Sequence, residues 1–511
     1  MKRCVAWRTI LPGGNRLSET RAAAVLGNGR RVNDNATGGN KLMSRYQPVT
    51  PVIIDELRAI VGREHVLTGE AIPPSAGHDA GTRRDAHFFP EVVAAPADTA
   101  QVAAILKLAN RTLIPVTPRG GGTGLAGGAV PLAGGLLLDL GRLDRILAID
   151  SSSRYAEVQP GVKTTALQQA AQVRGLLYAG DPCSNDDCVI GGNIATNAGG
   201  NRAVKYGVTS DQVLELEVVT PQGERTVVGS RLKKNSTGYN LVRLYAGAEG
   251  TLGIITRATL RLHRLAPHIP DFVAVLPDLH AAIGLVGELR DDRTIDPIVL
   301  ELIDRRTAQA MERYHNSPIF DEPQGDILVV QFEAHSEAEL LLKQAELEQT
   351  ALRFGAFSVT RATDSEALWS ARRAWGKALE AEFPVAAGDD LVVPVEHLSR
   401  FISRLQELVA AYNFDFRLAG HAGDGNMHLR IVPGSVPLAE WPGRYNRFCE
   451  ELYRITYMLG GRLSGEHGIG FKKKNALARL IDPVELSLMR AIKLAFDPNL
   501  ILNPGKIFDV V

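Results

Sequence analysis

The chain has 511 residues, 45% of them apolar and 22% charged, a composition typical of a globular protein with two or three domains. Its 57 basic and 57 acidic residues balance, so no overall field draws it to nucleic acid or to an anionic membrane surface. No run of 18 apolar residues occurs, which argues against a membrane span, and four cysteines without a CxxC pair argue against a disulfide framework, a zinc ribbon or an iron–sulfur centre.

Residues 1–42 differ in composition from the rest of the chain. They are rich in Lys and Arg, they contain few acidic residues, and they end in a cluster of Asn and Gly. This pattern is typical of a transit peptide, of a disordered tail, or of an over-extended start with Met43 as the true initiator. We therefore begin the first folded domain at Met43.

From residue 91 onwards the pattern is strand, helix, strand. Apolar residues run through 92–95, recur at helical spacing through 99–110 and run again through 113–116, where Pro118 is expected to end the strand. More apolar runs between glycines predict strands 135–140, 155–159, 214–220 and 253–262, and a helical pattern covers 164–174. This alternation predicts an α/β layer.

A second pattern begins after Pro267, where prolines and histidines cluster. It predicts strands 326–333, 357–360, 391–395, 414–420 and 427–432, and helices 336–353 and 396–411. The rhythm is that of an antiparallel sheet with helices on one face, ferredoxin-like in outline. We place a domain boundary near Pro267, which gives domains 43–266 and 267–482, and we expect residues 483–511 to pack back onto the first domain.

A glycine-rich loop, residues 118–128, follows the predicted strand 113–116. Gly122, Gly124 and Gly127 match the G-x-G-x-x-G spacing of a Rossmann dinucleotide site, which needs a helix directly after it. The proline and glycines that follow cannot continue a helix, so this interpretation is not favoured. Consecutive glycines still let several backbone N–H groups face one anion, as in a phosphate-binding nest, and a plain turn is the alternative.

Two more stretches of small residues, 191–200 and 246–255, leave the backbone open to a flat ligand. The three loops read PRGGGTG, IGGNIATNAGG and AGAEGTLGIIT, and they resemble the FAD-binding domain of the vanillyl-alcohol oxidase superfamily. The resemblance implies that the first loop surrounds the pyrophosphate, the second lines the flavin and the third touches the ribose and adenine. Members with covalent FAD often carry His where Thr123 stands, which implies non-covalent FAD here. The implied FAD contacts are Pro118, Arg119, Gly120, Gly121, Gly122, Thr123, Gly124, Gly191, Gly192, Asn193, Thr196, Asn197, Gly200, Glu249, Gly250 and Ile255.

A cluster of His and Glu is the second strong signal. His421 ends one predicted strand and His428 begins the next, with a natural hairpin turn, Asp-Gly, between them. Glu466 and His467 add a carboxylate and a third imidazole from a distant segment. Two His and one Glu suit zinc, manganese or iron with open coordination positions. A metal-dependent hydrolase would use the same ligands, but it would not need three flavin loops.

The motifs HAGDGNMH, SGEHGIG and FDPNLILNPGK resemble the C-terminal domain of FAD-linked D-2-hydroxy-acid dehydrogenases. This group includes the cytochrome-type D-lactate dehydrogenase, the flavin subunit of glycolate oxidase and D-2-hydroxyglutarate dehydrogenase. The resemblance implies an α+β fold, in which an FAD-binding domain of vanillyl-alcohol oxidase type carries a ferredoxin-like substrate domain. It implies that His467 is the catalytic base, that Asn426 lies near the substrate or the metal, and that Asn503 contacts FAD. The implied ligands of one divalent metal ion, for which we expect zinc, are His421, His428 and Glu466.

Oxidation of a 2-hydroxy acid removes a hydride from carbon and a proton from the hydroxyl group. Histidine is the usual base near neutral pH, a metal ion lowers the pKa of the hydroxyl, and flavin accepts the hydride. The substrate carboxylate needs an anchor, and Arg binds carboxylates through two parallel hydrogen bonds. By its position in WSARR, Arg372 resembles the substrate arginine of the family, with Arg373 as the alternative.

Two positions bear on substrate length. In hydroxyglutarate-specific members a Thr and a Lys help to hold the second carboxylate, and these places fall at Gly376 and Gly388 here. A glycine offers no partner, and a buried carboxylate without a partner is costly. We therefore expect a short D-2-hydroxy acid such as D-lactate or glycolate, with D-2-hydroxyglutarate as the alternative if Lys377 or Arg373 reaches the site.

No motif identifies the electron acceptor. The chain has no haem CxxCH and no iron–sulfur pattern, so we expect electrons to leave to a quinone, a cytochrome, an electron-transfer flavoprotein or a partner subunit. We expect a cytoplasmic protein, mitochondrial in a eukaryote, that meets a membrane only through this acceptor. We leave open whether the chain forms a homodimer. A protein that binds flavin without oxidising a substrate would lack the base and the metal ligands, so their presence argues against that alternative.

Overall fold

The computed structural model of the chain describes residues 45–83, 88–320 and 324–510. The expectations for residues 1–42 concern a segment outside these ranges. The cysteines in the described ranges are free thiols: Cys183, Cys188 and Cys449. Within the same ranges, no helix combines the length and the apolar character that crossing a bilayer takes.

The N-terminal part, residues 45–264, consists of short helices and strands. Its helices are α1 (Pro51–Val61), α2 (Thr99–Thr112), α3 (Thr164–Gln172), α4 (Ile190–Thr196), α5 (Ala203–Tyr206), α6 (Thr209–Gln212) and α7 (Leu241–Tyr245). Its strands are β1 (Val66–Thr68), β2 (Val92–Ala94), β3 (Val116–Arg119), β4 (Leu136–Asp139), β5 (Ile146–Asp150), β6 (Tyr155–Val158), β7 (Leu176–Leu177), β8 (Val213–Val219), β9 (Arg225–Gly229), β10 (Ile254–Arg261) and β11 (His263–Arg264).

Two larger sheets organise this part. A four-stranded sheet has the order β1-β2-β4-β3, with β2, β4 and β3 parallel, and a five-stranded antiparallel sheet has the order β5-β6-β10-β8-β9. Helix α2 packs on the first sheet because Val102, Ile105 and Leu106 recur at helical spacing and form one apolar face. Asp98 caps this helix by accepting a hydrogen bond from the Gln101 N–H group.

Strand β3 runs from Val116 through Pro118, so the predicted strand 113–116 is displaced. Leu113 instead ends α2 in the left-handed conformation, with φ 53°, and Pro118 is tolerated because β3 is an edge strand. No helix lies between β3 and β4, a stretch that the structure describes in full, and this confirms the exclusion of a Rossmann loop. The Val116 N–H group donates to Ile501 O, so the C-terminal segment lies against the first sheet.

The C-terminal part is built around one seven-stranded sheet. Its strands are β12 (Asp271–Leu276), β13 (Pro297–Ile303), β14 (Asp326–Phe332), β15 (Ser358–Arg361), β16 (Ala387–Val392), β17 (Asp415–His421) and β18 (Asn426–Val432). Its helices are α8 (Leu279–Asp291), α9 (Arg305–His315), α10 (Glu337–Arg353), α11 (Ser365–Glu382), α12 (Leu398–Tyr412), α13 (Trp441–Met458), α14 (Lys474–Leu480) and α15 (Pro483–Phe496). The strands pair antiparallel in the order β15-β12-β14-β13-β17-β18-β16.

Helices cover both faces of this sheet, so the expected single helical face is wrong. On one face α8, α10, α12 and α13 pack against residues such as Phe272 and Leu302. On the other face α9 and α11 pack against the intervening residues, such as Val273 and Ile303. Strand β13 is buried at all seven positions, and strands buried on both sides lack the polar–apolar alternation of a half-exposed sheet.

Candidate active site

Four adjacent strands of the seven-stranded sheet bring site residues onto one face. Glu301 of β13 is paired with His421 of β17, and His428 of β18 is paired with Asp390 of β16. His421 in turn lies opposite Asn426 at the start of β18. Cross-strand partners share a face with about 5 Å between their Cβ atoms. Two imidazoles and two carboxylates therefore converge on the face that α9 and α11 cover.

Three atoms form what we call the ligand triangle: Nε2 of His421, Nε2 of His428 and Oε1 of Glu466. The two Nε2 atoms are 3.3 Å apart, and Oε1 lies 3.5 Å from the first and 3.2 Å from the second. Ligands at about 2.1 Å around a tetrahedral ion are about 3.4 Å apart. Oε2 of Glu466 is buried and has no hydrogen-bond partner among the described residues. The size and the donor atoms of the triangle fit a divalent metal ion.

Each imidazole of the ligand triangle has a buried carboxylate at its other nitrogen. Glu301 Oε2 lies 2.6 Å from His421 Nδ1, and Asp390 Oδ1 lies 3.5 Å from His428 Nδ1. As an acceptor, the Glu301 carboxylate favours the His421 tautomer with its proton on Nδ1, which leaves the Nε2 lone pair free for a metal ion. Nδ1 of His428 has no hydrogen-bond partner among the described residues. Trp375 of α11 stacks on the His428 ring, with 6.0 Å between centroids.

The carboxylates of this cluster carry more negative charge than its one guanidinium balances. Burial alone would raise the pKa of Glu301, but Arg372 and His421 hold it at about 2. Burial is likewise outweighed at Glu466 and Asp390, whose pKa values lie well below the usual range because imidazoles are close. Three buried carboxylates thus face one guanidinium in this described part of the chain. Either two protonated imidazoles or one divalent ion balances the remaining charge.

Asp390 organises the segment that carries Glu466 and His467. Its Oδ2 accepts a hydrogen bond from Ser464 Oγ and from the backbone N–H groups of Gly465, Glu466 and His467, at 2.8–3.1 Å. The segment therefore folds around one carboxylate oxygen. This arrangement fixes a ligand and the predicted base at the same time.

Asn426 supports Asp390 in the structure. Its Nδ2 donates to Asp390 Oδ1 at 2.6 Å and to Leu391 O at 3.1 Å, and Gly465 packs against its amide group. Asp390, His428 and His467 are also close enough together to form a second set of possible metal ligands. Because Asp390 Oδ2 already accepts four hydrogen bonds, we interpret that set as a support for the ligand triangle.

His467 lies beside the ligand triangle and is 26% exposed. Its ring is nearly parallel to that of His428, with 5.2 Å between centroids and 6° between planes. Asp390 Oδ2 lies 3.8 Å from its Nδ1, and Glu466 Oε1 lies 3.8 Å from its Nε2. Burial lowers the pKa of His467 against the opposing effect of Asp390. The imidazole is therefore neutral near neutral pH, as a general base must be.

Arg372 is the predicted arginine that the structure brings to the cluster. It is 1% exposed, its Nε donates to Glu301 Oε1 at 2.5 Å, and its Nη2 contacts the same oxygen. Its Nη1 lies on the other edge of the guanidinium, 3.7 Å from Sγ of Cys183 in the N-terminal part. One edge of Arg372 is thus occupied by Glu301, and the other faces the junction of the two parts.

The two alternative cations of the sequence analysis lie elsewhere on α11. Arg373 pairs with Glu366, with 2.6 Å between Nη2 and Oε1, and Lys377 is exposed. The structure therefore brings Arg372 to the cluster and leaves these two cations outside it.

The two glycines expected to exclude a second carboxylate have different surroundings. A Cβ built at Gly376 would meet no heavy atom within 4 Å among the described residues, whereas one at Gly388 would lie 3.6 Å from Arg430 Nη1. Arg430 pairs with Gly388 across the sheet and shares its strand face with His428. Its Nη2 lies 3.5 Å from Oε1 of Glu380. The sequence analysis missed this cation because the register of β16 and β18 was not known.

The three glycine-rich loops converge in the N-terminal part. A Cβ built at Gly120 of the first loop would lie 3.8 Å from the backbone N of Gly192 in the second, and Gly250 of the third loop packs against Pro118 of the first. Residues 119–124 keep partial solvent access although protein surrounds them. Backbone that lines such a groove fits FAD, whose pyrophosphate needs N–H donors and whose rings need close approach.

Some predicted FAD contacts use their side chains within the protein. Asn193 donates to Thr164 Oγ1, Asn503 donates to Glu249 O, and the Glu249 carboxylate accepts from the backbone N–H of Gly470. These residues would therefore contact FAD mainly through their backbone atoms. The other predicted contacts lie along the three loops: Pro118, Arg119, Gly120, Gly121, Gly122, Thr123, Gly124, Gly191, Gly192, Thr196, Asn197, Gly200, Gly250 and Ile255.

The three glycine-rich loops, which we call the cofactor loops, border the same space as the ligand triangle. A Cβ built at Gly199, which follows α4 in the second loop, would lie 2.9 Å from Oε2 of Glu466. Cys183 of the same part lies beside Arg372. Groups that the sequence separates by hundreds of residues thus surround one position between the two parts.

The sequence analysis missed Glu301, Asp390 and Cys183, which contact predicted site residues, and Arg430, which lies beside Gly388. A signal existed for Glu301, because it is the one charged residue in the apolar run PIVLELI, and an isolated charge in such a run indicates a buried pair. Asp390 directly precedes a similar apolar run. Cys183 and Arg430 carry no comparable signal.

Two family models match most of the chain. Residues 90–229 match the FAD binding domain, and residues 266–507 match the C-terminal domain of FAD linked oxidases. Among solved structures, p-cresol methylhydroxylase with substrate bound superimposes with a TM-score of 0.74 over 93% of this chain and 98% of that one, at 18% identity. This likeness confirms the vanillyl-alcohol oxidase type of fold, and at such identity it shows the fold alone.

Three relatives match most of the chain. D-lactate dehydrogenase of Anaerostipes hadrus is 36% identical over 482 residues, 91% of this chain and 99% of the relative. D-2-hydroxyglutarate dehydrogenase of Stutzerimonas stutzeri is 34% identical over 468 residues, 90% of this chain and 99% of the relative. Glycolate oxidase subunit GlcD of Bacillus subtilis is 35% identical over 423 residues, 82% of this chain and 89% of the relative.

Proposed function

The chain belongs to the family of FAD-linked oxidases, and from this premise we propose that it oxidises a short D-2-hydroxy acid to the 2-oxo acid, with FAD and a divalent metal ion. The relatives named for D-lactate, glycolate and D-2-hydroxyglutarate all support a 2-hydroxy acid. The observation that carries the proposal is the closeness of Gly199 in a cofactor loop to Glu466 of the ligand triangle, which leaves no room for a side chain at position 199. Flavin and metal would therefore act on one bound molecule.

Two bound groups would supply chemistry that side chains lack. When bound, FAD accepts the hydride from the hydroxyl-bearing carbon. When bound, a divalent ion acts as a Lewis acid toward the substrate oxygens. The ligand triangle of His421, His428 and Glu466 would hold the ion, for which we propose zinc because the spacing is that of a tetrahedral site. FAD would be non-covalent with respect to position 123, where Thr123 offers no imidazole.

His467 takes the hydroxyl proton in this proposal. Its Nε2 lies 3.8 Å from Oε1 of Glu466 in the ligand triangle, so Nε2 is the ring nitrogen nearer the proposed ion and the one that would accept the proton. Stacking on His428 restricts rotation of the ring. A positioned base of this kind contributes roughly 10²–10⁴ to the rate.

Arg372 anchors the substrate carboxylate through its Nη1 edge. The opposite edge is occupied by Glu301, so the edge that would meet the carboxylate is the one at Nη1, which donates a hydrogen bond to Sγ of Cys183 at 3.7 Å. A guanidinium edge can hold a carboxylate by two hydrogen bonds. The anchor therefore lies next to the ligand triangle, because Glu301 also contacts His421.

We propose that the electrons leave to an external acceptor, since the sequence has no haem CxxCH or iron–sulfur pattern. A quinone, a cytochrome, an electron-transfer flavoprotein and a partner subunit remain the candidates. An acceptor panel with the substrate held constant distinguishes them.

A substrate panel with an artificial electron acceptor tests the proposed function. We expect turnover of D-lactate and related short D-2-hydroxy acids, with the L enantiomers poor. Treatment with a chelator should abolish turnover and leave FAD bound, because the proposed metal ligands lie in the C-terminal part, and a divalent ion should restore it. Full activity without metal refutes the role of the ligand triangle, and a failure to oxidise any 2-hydroxy acid refutes the reaction.

D-2-hydroxyglutarate is a second candidate substrate because of Arg430. This cation lies beside Gly388 and two residues from His428 on the same strand face, where it could meet a distal carboxylate. The ratio of kcat/KM for D-lactate to that for D-2-hydroxyglutarate separates the two substrates. A ratio well below one favours the dicarboxylate, and Arg430→Gln should then weaken only the dicarboxylate. A ratio above one supports the short substrate.

A further inference from the structure

Glu301 lies between the metal ligand His421 and the substrate anchor Arg372. Its side chain is 0% exposed. Oε2 lies 2.6 Å from His421 Nδ1, while Oε1 accepts from Arg372 Nε at 2.5 Å and contacts Nη2 as well. One carboxylate therefore binds two functional groups, each through a different oxygen.

The fold makes this arrangement rigid. Glu301 is a cross-strand partner of His421 in the middle of the sheet, so the backbone fixes their separation. Arg372 lies on α11, which packs on the same face of the sheet through Leu368 and Ala371. A strand pair and a packed helix thus hold the three side chains, and no loop is involved.

Each contact determines which atoms stay available. Because the Glu301 carboxylate can only accept at Nδ1 of His421, a neutral His421 carries its proton there and turns its Nε2 lone pair into the ligand triangle. Because Glu301 occupies the Nε edge of Arg372, the Nη1 edge is turned toward Cys183 and the junction with the cofactor loops. A rotation of Glu301 would disturb both orientations at once.

We infer that Glu301 is a positioning residue that couples metal binding to substrate anchoring. The inference rests on the proposed function, since it takes His421 as a metal ligand and Arg372 as the anchor. Glu301 fixes the tautomer of the first and the free edge of the second. The alternative is that Glu301 only balances the buried charge of Arg372, and the two roles predict different metal affinities in suitable variants.

Glu301→Gln tests the coupling in the FAD-loaded protein. A Gln side chain has one acceptor oxygen, yet both neighbours, Arg372 and His421, are donors. Its NH₂ group would therefore face an N–H group of one of them and lose that hydrogen bond. We expect the affinity for Zn²⁺, measured by competition with a chromogenic chelator, to fall roughly 10–100-fold, the usual effect of losing a carboxylate behind a metal-bound imidazole. We also expect KM for D-lactate to rise about tenfold or more.

Two further variants separate positioning from charge balance. Arg372→Met keeps the carboxylate at His421, so Zn²⁺ affinity should be retained while KM rises. In the double variant Glu301→Leu with Arg372→Met, both charges are gone, and affinity should still be low because no acceptor remains at Nδ1 of His421. Recovery of wild-type Zn²⁺ affinity in the double variant would mean that Glu301 only balances charge.

Glu333→Gln is the matched control. Glu333 is a buried carboxylate at the contact of the two parts, where it binds Lys205 and Tyr206 and not the site. This variant should leave Zn²⁺ affinity and KM unchanged. If Glu301→Gln fails to retain FAD, the charge-free double variant provides the comparison instead.

The outcomes distinguish a failure of this inference from a failure of the proposed function. If the wild-type protein binds no Zn²⁺, the proposed metal site fails and the inference fails with it. If the wild-type protein binds Zn²⁺ and Glu301→Gln binds it equally well with an unchanged KM, the inference is overturned while the proposed function stands.

Discussion

At the scale of single residues, His467 is the side chain on which the proposed proton transfer depends. It lies next to the ligand triangle and outside it, with Nδ1 toward Asp390. His467→Asn should therefore lower kcat by roughly 10²–10⁴ while FAD and metal content stay at wild-type levels. Steady-state kinetics with flavin and metal analysis measures all three quantities.

A histidine outside the site provides the control for this prediction. His397 hydrogen-bonds to Leu459 O in the C-terminal part, away from the ligand triangle. His397→Asn should leave kcat nearly unchanged. A near-normal kcat in His467→Asn would assign the base to another group.

Sequence reasoning at this scale succeeded where residues stand in a motif. His421, His428, Glu466 and His467 occur in two short glycine-containing segments, and the structure brings all four together. Glu301 has no motif around it. Its contact with His421 comes from the register of two strands that lie over a hundred residues apart, which no local pattern encodes.

At the scale of elements, the segment 464–467 is held by Asp390 of β16. Four hydrogen bonds converge on one carboxylate oxygen, so this single side chain shapes the segment. Asp390→Asn places an amide among these donors, and an NH₂ group cannot accept from them. We expect both kcat and Zn²⁺ affinity to fall at least tenfold, in contrast to His467→Asn, which should lower kcat alone.

A neighbouring carboxylate controls for the loss of charge in this variant. Asp389 pairs with Lys473 at 2.6 Å and is not bonded to the segment. Asp389→Asn should affect metal affinity less than Asp390→Asn does. Equal effects of the two substitutions would show that the loss of a buried negative charge, and not the hydrogen bonds from the segment to Asp390, explains the result.

A second contact between distant segments is made by Glu249 of the third glycine loop, which accepts hydrogen bonds from the backbone N–H groups of Ile469 and Gly470. Burial raises the pKa of Glu249 to about 7, against these hydrogen bonds and the nearby Lys506, while Asp79 adds to the rise. Between about pH 4.5 and 7 the folded protein keeps a proton that the unfolded chain has lost. Stability should therefore fall as pH rises through this window, by about 3 kcal/mol at most.

Glu249→Gln isolates this contribution, because the amide does not titrate. The Tm of the variant relative to wild type should increase between pH 5 and pH 7.5, with Lys506 and Asp79 present in both proteins. Thermal melts at several pH values give the comparison. A Tm difference that does not change with pH would rule out titration of Glu249 in this window.

The sequence predicted elements better than their arrangement. Helix α10 and strands β14, β17 and β18 lie within a residue or two of their predicted bounds, because their apolar periodicity is clear. Periodicity says which residues are buried but not against which partner. The packing of α9 and α11 as a second helical layer was therefore not predicted, and neither were the elements between residues 271 and 315.

At the scale of the whole molecule, the N-terminal part offers three converging loops and the C-terminal part offers the proposed metal ligands, base and anchor. The purified protein should be yellow, and denaturation should release its flavin into the supernatant, since Thr123 cannot form the covalent link that a His would. Absorption spectra of pellet and supernatant after precipitation test this. Flavin that stays with the precipitated chain would point to a covalent bond at another residue.

The most direct test of the central claim is anaerobic reduction of the bound flavin in a single turnover, without any external acceptor. Metal-replete protein mixed with D-lactate or D-2-hydroxyglutarate should lose its visible flavin absorption quickly, whereas the matching L enantiomers should act slowly. The same reduction should be slower by roughly 10²–10⁴ in His467→Asn and should be lost after metal removal. Metal-replete protein whose flavin no D-2-hydroxy acid reduces, or whose reduction is indifferent to both His467 and metal, would contradict the account.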